Sequence, residues 1–381
     1  MTTDSLDAAR RLRKILDENI RGAGDAPVPP ASVKALSEEN LWGIMTPQEV
    51  GGGELPISEV LDIFEEVARA DGSTGWCLMA GASAVAYFGA YCPSSFTDKF
   101  FANGIPLVAG QFAPNGMGRR VEGGYQLTGQ YSFGSGIDYA NWVGAGFLVP
   151  PPEGSDAPHE YRFTAVPKSE VELLGNWDVM GLRQTASLDY KVEDVFVPEE
   201  STFLFATPTR RRGGPIFEMG VMALTAAGHA GFALGVARRA LDELKATSKT
   251  KIRMGSGNYL QDGEDFLRRL GQLESRFRAA RAWVYETFEA MESRATEIEV
   301  VDPEFVTLVR QSTVHVTEEA AEIVREVYLL AGTTSLREGP IQRCFRDIHA
   351  ASQHFFASPA STLDYARGLI DASADEALDA N

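Results

Sequence analysis

Apolar residues recur at helical spacing from about residue 4 to residue 104, broken by a Pro-rich turn at 27–30 and by Gly51-Gly52-Gly53. This spacing predicts a run of helices. Asp71-Gly72-Ser73-Thr74 places capping oxygens just ahead of Trp76-Cys77-Leu78-Met79 and predicts a helix start there. From Pro106 the pattern changes. GGYQLTGQYSFGSG, WVGAGFLVP, YRFTAVP and LDYKVEDVFVP are short β-favouring runs set off by Gly and Pro. After Pro215 helical periodicity returns in four stretches, roughly 216–250, 262–295, 303–331 and 339–370, which predicts a bundle. Expected domains are an α-helical one over 1–105, a β domain over 106–210 and a four-helix bundle over 211–381. The nearly apolar run from Val221 to Ala237 contains His229 and three glycines. It is short for a membrane span and predicts a helix buried inside the bundle.

Composition narrows the function classes. With 44% hydrophobic and 23% charged residues the chain is an ordinary globular sequence. A net charge of −18 argues against nucleic acid or an anionic membrane as partner, and Arg210-Arg211-Arg212 is too short a basic patch to outweigh it. Cys77, Cys92 and Cys344 show no paired spacing, so no zinc site or disulfide framework is readable and a reducing cytoplasm is expected. The N-terminal MTTDSLDAARRLRKILDENI is amphipathic and polar, with no apolar signal core. No Gly-x-Gly-x-x-Gly unit for a nicotinamide cofactor is present.

Chemistry concentrates near the C-terminus, in EGPIQRCFRDIHAASQH. On one continuous helix, Arg343, Asp347, Ala350 and His354 would share a stripe, with His349 on another face, so the two histidines are a poor metal pair. Arg343 and Asp347 could form an i,i+4 ion pair. Glu338 at the helix start is explained by the exposed amides there. His354, with an ordinary pKa of about 6.5, is the better candidate base. His159 lies in a loose Pro-rich loop, and His229 reads as a core residue among small apolar neighbours.

Four segments share one family likeness. PQEVGGGELPISEVLDIFEEVARADGSTGW resembles the N-terminal helical region of the acyl-CoA dehydrogenase superfamily. LTGQYSFGSGIDYANW and NWDVMGLRQTASLDYKVEDVFVPEE resemble its two flavin-facing β segments, and the C-terminal helix resembles that of its two-component flavin monooxygenases. The resemblance implies a mainly α fold with a central β domain: an N-terminal α domain, a β-barrel-like middle domain and a C-terminal four-helix bundle. It also implies flavin between the last two, completed across a homotetramer. By position it sets Phe133 against the flavin, the Ser135 hydroxyl near N5, and Trp177, Arg183 and Thr185 beside the ring system. Arg343 would help to hold flavin, and His354 would face substrate.

A dehydrogenase of this family removes an α-proton with a Glu, at positions that here hold Leu336 and Val221. Without a positioned acceptor that chemistry is lost. The resemblance therefore favours a monooxygenase that takes reduced flavin, FMNH2 or FADH2, from a separate NAD(P)H–flavin reductase. It would react with O2 through a C4a-hydroperoxide and hydroxylate a small aromatic or amine substrate, with His354 and Ser135 as catalytic residues. Two alternatives stay open: an acyl-CoA dehydrogenase with its base relocated to Glu218 or Glu338, and a non-catalytic assembly protein on the same fold.

Overall fold

The structure is a computed structural model that describes residues 4–206, 208–252, 257–296 and 303–379. Residues 253–256, within SKTKIRMGSGNYLQDGEDF, lie outside the described residues. Five helices come first: α1 (Asp4–Ile20), α2 (Pro30–Glu38), α3 (Ile57–Ala70), α4 (Gly72–Tyr91) and α5 (Ser94–Phe100). Helix α3 buries Ile57, Val60, Leu61, Phe64, Val67 and Ala68, the stripe its 3.6-residue period predicts. The α4 start is as expected: Asp71 stands in extended conformation and its carboxylate accepts the Thr74 N–H at 2.8 Å. Almost every residue of α4 is buried, so it is a central helix rather than an amphipathic one.

Seven strands follow among the described residues: β1 (Val108–Val121), β2 (Gly124–Gly134), β3 (Trp142–Val149), β4 (Glu160–Pro167), β5 (Glu172–Gly175), β6 (Leu188–Pro198) and β7 (Thr202–Leu204). They form one mixed sheet in the order β5-β6-β2-β1-β3-β4-β7, in which only β1 and β3 run parallel. The predicted strands are β2, β3, β4 and β6. Strand β1 was not read because Pro114, which lacks an N–H, and several glycines interrupt it; the β1–β3 register slips between Gln111 and Gly116 to accommodate them. A second bulge matters for function. The β2–β6 register shifts between Tyr131 and Gly134, and Gly134 then pairs with Leu188. Ser135 and Ser187 thus emerge side by side from adjacent strand ends.

The C-terminal part contains α6 (Gly220–Ser248), α7 (Glu264–Ala295), α8 (Pro303–Ala331), α9 (Pro340–Ala351) and α10 (Pro359–Asp379). Helix α6 is long and apolar enough by composition to cross a membrane, but 89% of that apolar window is buried inside the protein. Its glycines allow close packing: a Cβ on Gly235 would lie 2.4 Å from the Glu65 carbonyl oxygen on α3. The fourth predicted stretch, 339–370, is corrected to two helices. Helix α9 stops at Ala351, and Ser358 is extended (φ −71°, ψ 135°) because Pro359 disfavours the helical region for the residue before it. His354, also extended at φ −72° and ψ 150°, is therefore on the connecting turn and not on the Arg343 stripe. The Arg triplet is no docking patch: Arg211 donates to the Tyr91 carbonyl oxygen and Arg212 to those of Gly89 and Cys92, closing the C-terminus of α4.

Candidate functional site

Two residues before Ser135 the backbone is strained. Phe133, in the β2 bulge, has φ +65° and leaves 60% of its surface exposed. A bulky aromatic in the left-handed region is uncommon, and its own fold gives this one little burial in return. Its ring stands edge-on to Trp177 at 6.3 Å. The Trp177 indole N–H donates to the carbonyl oxygens of Leu182 and Arg183, and Met180 between them is 56% exposed.

The loop from 176 to 187 is held from several sides. Asn176, Leu182 and Ala186 all have positive φ, each costing on the order of 1 kcal/mol. The Leu182 N–H donates to Asp347 Oδ1 at 2.7 Å, Gln184 Nε2 to the Gly24 carbonyl at 2.6 Å, and Ser73 Oγ to Gln184 Oε1 at 3.1 Å. A Cβ on Gly181 would meet the Arg346 carbonyl oxygen at 2.0 Å, so only glycine lets this loop lie on α9. The strain persists because these bonds over-determine the backbone.

Asp347 thus anchors the loop instead of pairing with Arg343 as the helical spacing suggested. Burial first, and the neighbouring Asp71 next, push its carboxyl up to about 7. Arg343 is half-buried on α9 beside Asp71, Arg239 and Asp347, and no hydrogen bond or ion pair of its guanidinium is found among the described residues. Arg183 is engaged with Asp25 at 2.5 Å.

A chain of hydroxyls runs through the site. Trp76 Nε1 donates to Ser135 Oγ at 3.1 Å, Ser135 Oγ lies 2.7 Å from Ser187 Oγ, Ser187 Oγ lies 2.6 Å from Thr185 Oγ1, and Thr185 Oγ1 donates to the Leu182 carbonyl at 2.7 Å. Ser187 and Thr185 are buried, and Ser135 is half-buried.

Trp76 also faces the other candidate. Its ring is edge-on to His354 at 5.4 Å and to His229 at 5.1 Å, and His229 stacks on His354 at 4.3 Å and on Phe356 at 4.9 Å. Desolvation lowers the His354 pKa to about 4 and that of His229 well below its usual value. His354 keeps an exposed side that restores some hydration; what its aromatic neighbours fix is the direction, a ring neutral at pH 7. Its Nδ1 accepts a long bond, 3.4 Å, from the Phe356 N–H, which assigns the proton to Nε2. Packing against Trp76 and His229 weakens this ring as a base and leaves it an Nε2–H donor.

Sequence reasoning missed Trp76 and His229. Trp76 was noted only for its place near a helix start, and its position inside the family-like segment was the available signal. His229 was read as core; it is buried, but against His354. The relocated bases do not join this cluster: Glu218 pairs with Arg210 at 2.6 Å, and Glu338 is exposed in an open cleft with Arg21, Glu243 and Arg343. The family positions Leu336 and Val221 are 63% and 2% exposed aliphatics.

An exposed aromatic and thioether surface next to a hydroxyl, with an unpaired guanidinium on α9, fits a flat ring system carrying a polar edge and an anionic tail. The acyl-CoA dehydrogenase N-terminal domain matches residues 7–92 and the acyl-CoA dehydrogenase C-terminal domain residues 227–359, together more than half of the chain. The indole-3-acetate monooxygenase of Pseudomonas putida is 29% identical over 331 residues, 85% of this chain and 82% of that one. The oxygenase component of the p-hydroxyphenylacetate 3-hydroxylase of Acinetobacter baumannii is 24% identical over 92% of this chain and 81% of its own. The structure of XiaF from Streptomyces sp. in complex with FADH2 and glycerol superposes with a TM-score of 0.87 over 97% of this chain and 95% of that one, at 20% identity. The chain belongs to the acyl-CoA dehydrogenase superfamily and, within it, resembles the flavin-dependent monooxygenases.

Proposed function

We propose that the protein is the oxygenase component of a two-component monooxygenase, which takes reduced flavin (FMNH2 or FADH2) from a separate NAD(P)H–flavin reductase and hydroxylates a small aromatic or amine substrate. The observation that carries this reading is Trp76, whose indole N–H holds Ser135 while its ring packs against His354 and His229. One side of this residue would face the flavin edge and the other an apolar, aromatic substrate site. Bound reduced flavin supplies two electrons to O2, so that one oxygen atom enters the substrate and the other leaves as water.

The chain's own residues position and shelter this chemistry. Phe133, Trp177 and Met180 would cover the flat face of the flavin, Ser135 would meet its N5 edge, and Arg343 would meet its phosphate with a planar, always charged fork. Thr185 acts through Ser187 on Ser135, and Arg183 ties the covering loop to Asp25. His354 presents Nε2–H to the substrate's oxygen or nitrogen, while Trp76, His229 and Phe356 keep water away. The protein works as a cytoplasmic homotetramer in which a neighbouring subunit completes the flavin site, matching the otherwise unpaired Arg343. Relatives named as monooxygenases support the oxygenase reading, and Glu218 and Glu338, apart from the Trp76 cluster, offer no support for a dehydrogenase.

Anaerobic mixing with photoreduced FMN or FAD, followed by 18O2 and a panel of phenols and indoles, tests the proposal. Labelled hydroxylated product is expected. Oxidation of the reduced flavin at its free-solution rate with no labelled product, or bleaching of tightly bound yellow FAD by an acyl-CoA, would overturn it.

A further inference from the structure

The hydroxyl chain has a direction. It contains three contacts that each need one proton, Ser135–Ser187, Ser187–Thr185 and Thr185–Leu182 carbonyl, and three hydroxyls to supply them. The carbonyl cannot donate, so Thr185 must donate to it. Ser187 must then donate to Thr185, and Ser135 to Ser187. Any other assignment leaves two acceptor oxygens facing each other at 2.7 Å or less without a proton between them, in a region where Ser187 is 2% and Thr185 1% exposed. The Trp76 N–H, donor only, takes one lone pair of Ser135. Ser135 is left with no free proton and one free lone pair.

We infer that Ser187 and Thr185 are positioning residues that lock Ser135 as a hydrogen-bond acceptor and thereby make the site select reduced over oxidised flavin. The inference rests on the proposed placement of Ser135 at the flavin N5 edge. Reduced flavin carries a hydrogen on N5 and can donate to that lone pair. Oxidised flavin presents a lone pair there, and two acceptors would face each other. The site would then admit the form that a reductase delivers and release the spent form, with selectivity built into side-chain protons rather than into shape.

The test measures dissociation constants of oxidised and photoreduced FMN and FAD, by fluorescence and anaerobic titration, in the full-length protein. In Ser187→Ala the Ser135 proton is freed to rotate toward N5. Oxidised flavin should bind about tenfold more tightly, roughly the worth of one hydrogen bond, with the reduced form little changed. This lowers the two-electron potential of bound flavin by about 30 mV. Thr185→Val should act in the same direction by letting Ser187 turn its proton to Ser135, and Thr185→Ser should restore the parent's ratio. In a Ser135→Ala background the Ser187 substitution should have no further effect on the ratio. An unchanged ratio in both Ser187→Ala and Thr185→Val, or equal weakening of both redox forms, would overturn the inference while leaving the flavin site intact. Failure of the parent to bind reduced flavin at all would instead remove the proposed function, and the inference with it.

Discussion

The Trp76 indole N–H donates to Ser135 Oγ at 3.1 Å, joining a helix buried in the N-terminal part to the end of a strand 59 residues later. Its ring is 8% exposed, so the bond sits where an unmet partner is not readily rehydrated. Trp76→Phe keeps a ring against His354 and His229 but removes the donor. We expect a stability loss of about 0.5–1.5 kcal/mol, read by chemical denaturation, and a fall in the fraction of reducing equivalents recovered as hydroxylated product. Parent-like coupling in a folded Phe variant would exclude a role for this bond.

Ser135→Ala removes the acceptor at the flavin edge and leaves the Trp76 N–H without a partner. Hydrogen peroxide release per NADH consumed should rise, with substrate affinity little changed. The readout is the ratio of product to NADH in the presence of a flavin reductase. Equal ratios in variant and parent would place Ser135 outside the chemistry.

His354 and Glu338 separate the oxygenase from the dehydrogenase. As an Nε2–H donor to a charged substrate atom, His354 should be worth about 1.5–3 kcal/mol, so His354→Ala should slow oxygen transfer by roughly 10–150-fold. His354→Gln, which keeps a donor, should recover part of the loss. Since desolvation of its packed side lowers the His354 pKa, the parent's rate should show no limb near 6.5 that vanishes in the variant. Such a limb would mean that His354 titrates as a base. Glu338→Gln should be nearly silent; a dead Gln variant with an active Ala variant would favour proton abstraction by Glu338.

Asp347 makes stability depend on pH in an unusual direction for a carboxylate. Its folded pKa is raised to about 7 by burial and by Asp71, against the countering charges of Arg346 and Arg343, whereas an unfolded Asp titrates near 3.9. The folded state therefore holds a proton that the unfolded chain has released. The stability contribution is fully present below about pH 4 and is lost as pH rises to about 7, at no more than about 1.4 kcal/mol per pH unit. Asp347→Asn keeps an acceptor for the Leu182 N–H and removes the titration. Its melting temperature, relative to the parent at each pH, should therefore improve from pH 4.5 to 7.5. His229 and His354, with lowered pKa values, act with the opposite sign and are common to both proteins, so a constant difference across that range would contradict the assignment.

Arg343→Ala should weaken flavin binding with the fold retained, because the guanidinium makes no hydrogen bond or ion pair among the described residues and loses only its charge beside Asp71 and Asp347. A loss of about tenfold or more, shrinking as salt is raised, is expected for a phosphate contact. If Arg343 serves a flavin shared between subunits, light scattering should give a tetramer for parent and variant alike. A monomeric parent with full flavin affinity would contradict the shared site.

By itself the sequence determined the mainly helical fold, the central strands and the family, because these rest on local periodicity, turn chemistry and motifs read in order. It also singled out Ser135, Thr185 and Trp177, whose neighbours along the chain carry the signal. Local reading went wrong where the cause was tertiary. The long α9 stripe failed because the helix stops at Ala351, well before the Pro359 that restricts only Ser358, and the connecting turn sets His354 against Trp76 and His229. The expected Arg343–Asp347 pair failed because a backbone N–H from a loop 165 residues away claims the carboxylate. The depressed pKa of His354 and the direction of the hydroxyl chain were illegible for the same reason. Burial, stacking and the allocation of protons among hydroxyls are set by which groups meet in space, and nothing within a few residues of Ser135 says that its proton belongs to Ser187 at the end of the neighbouring strand.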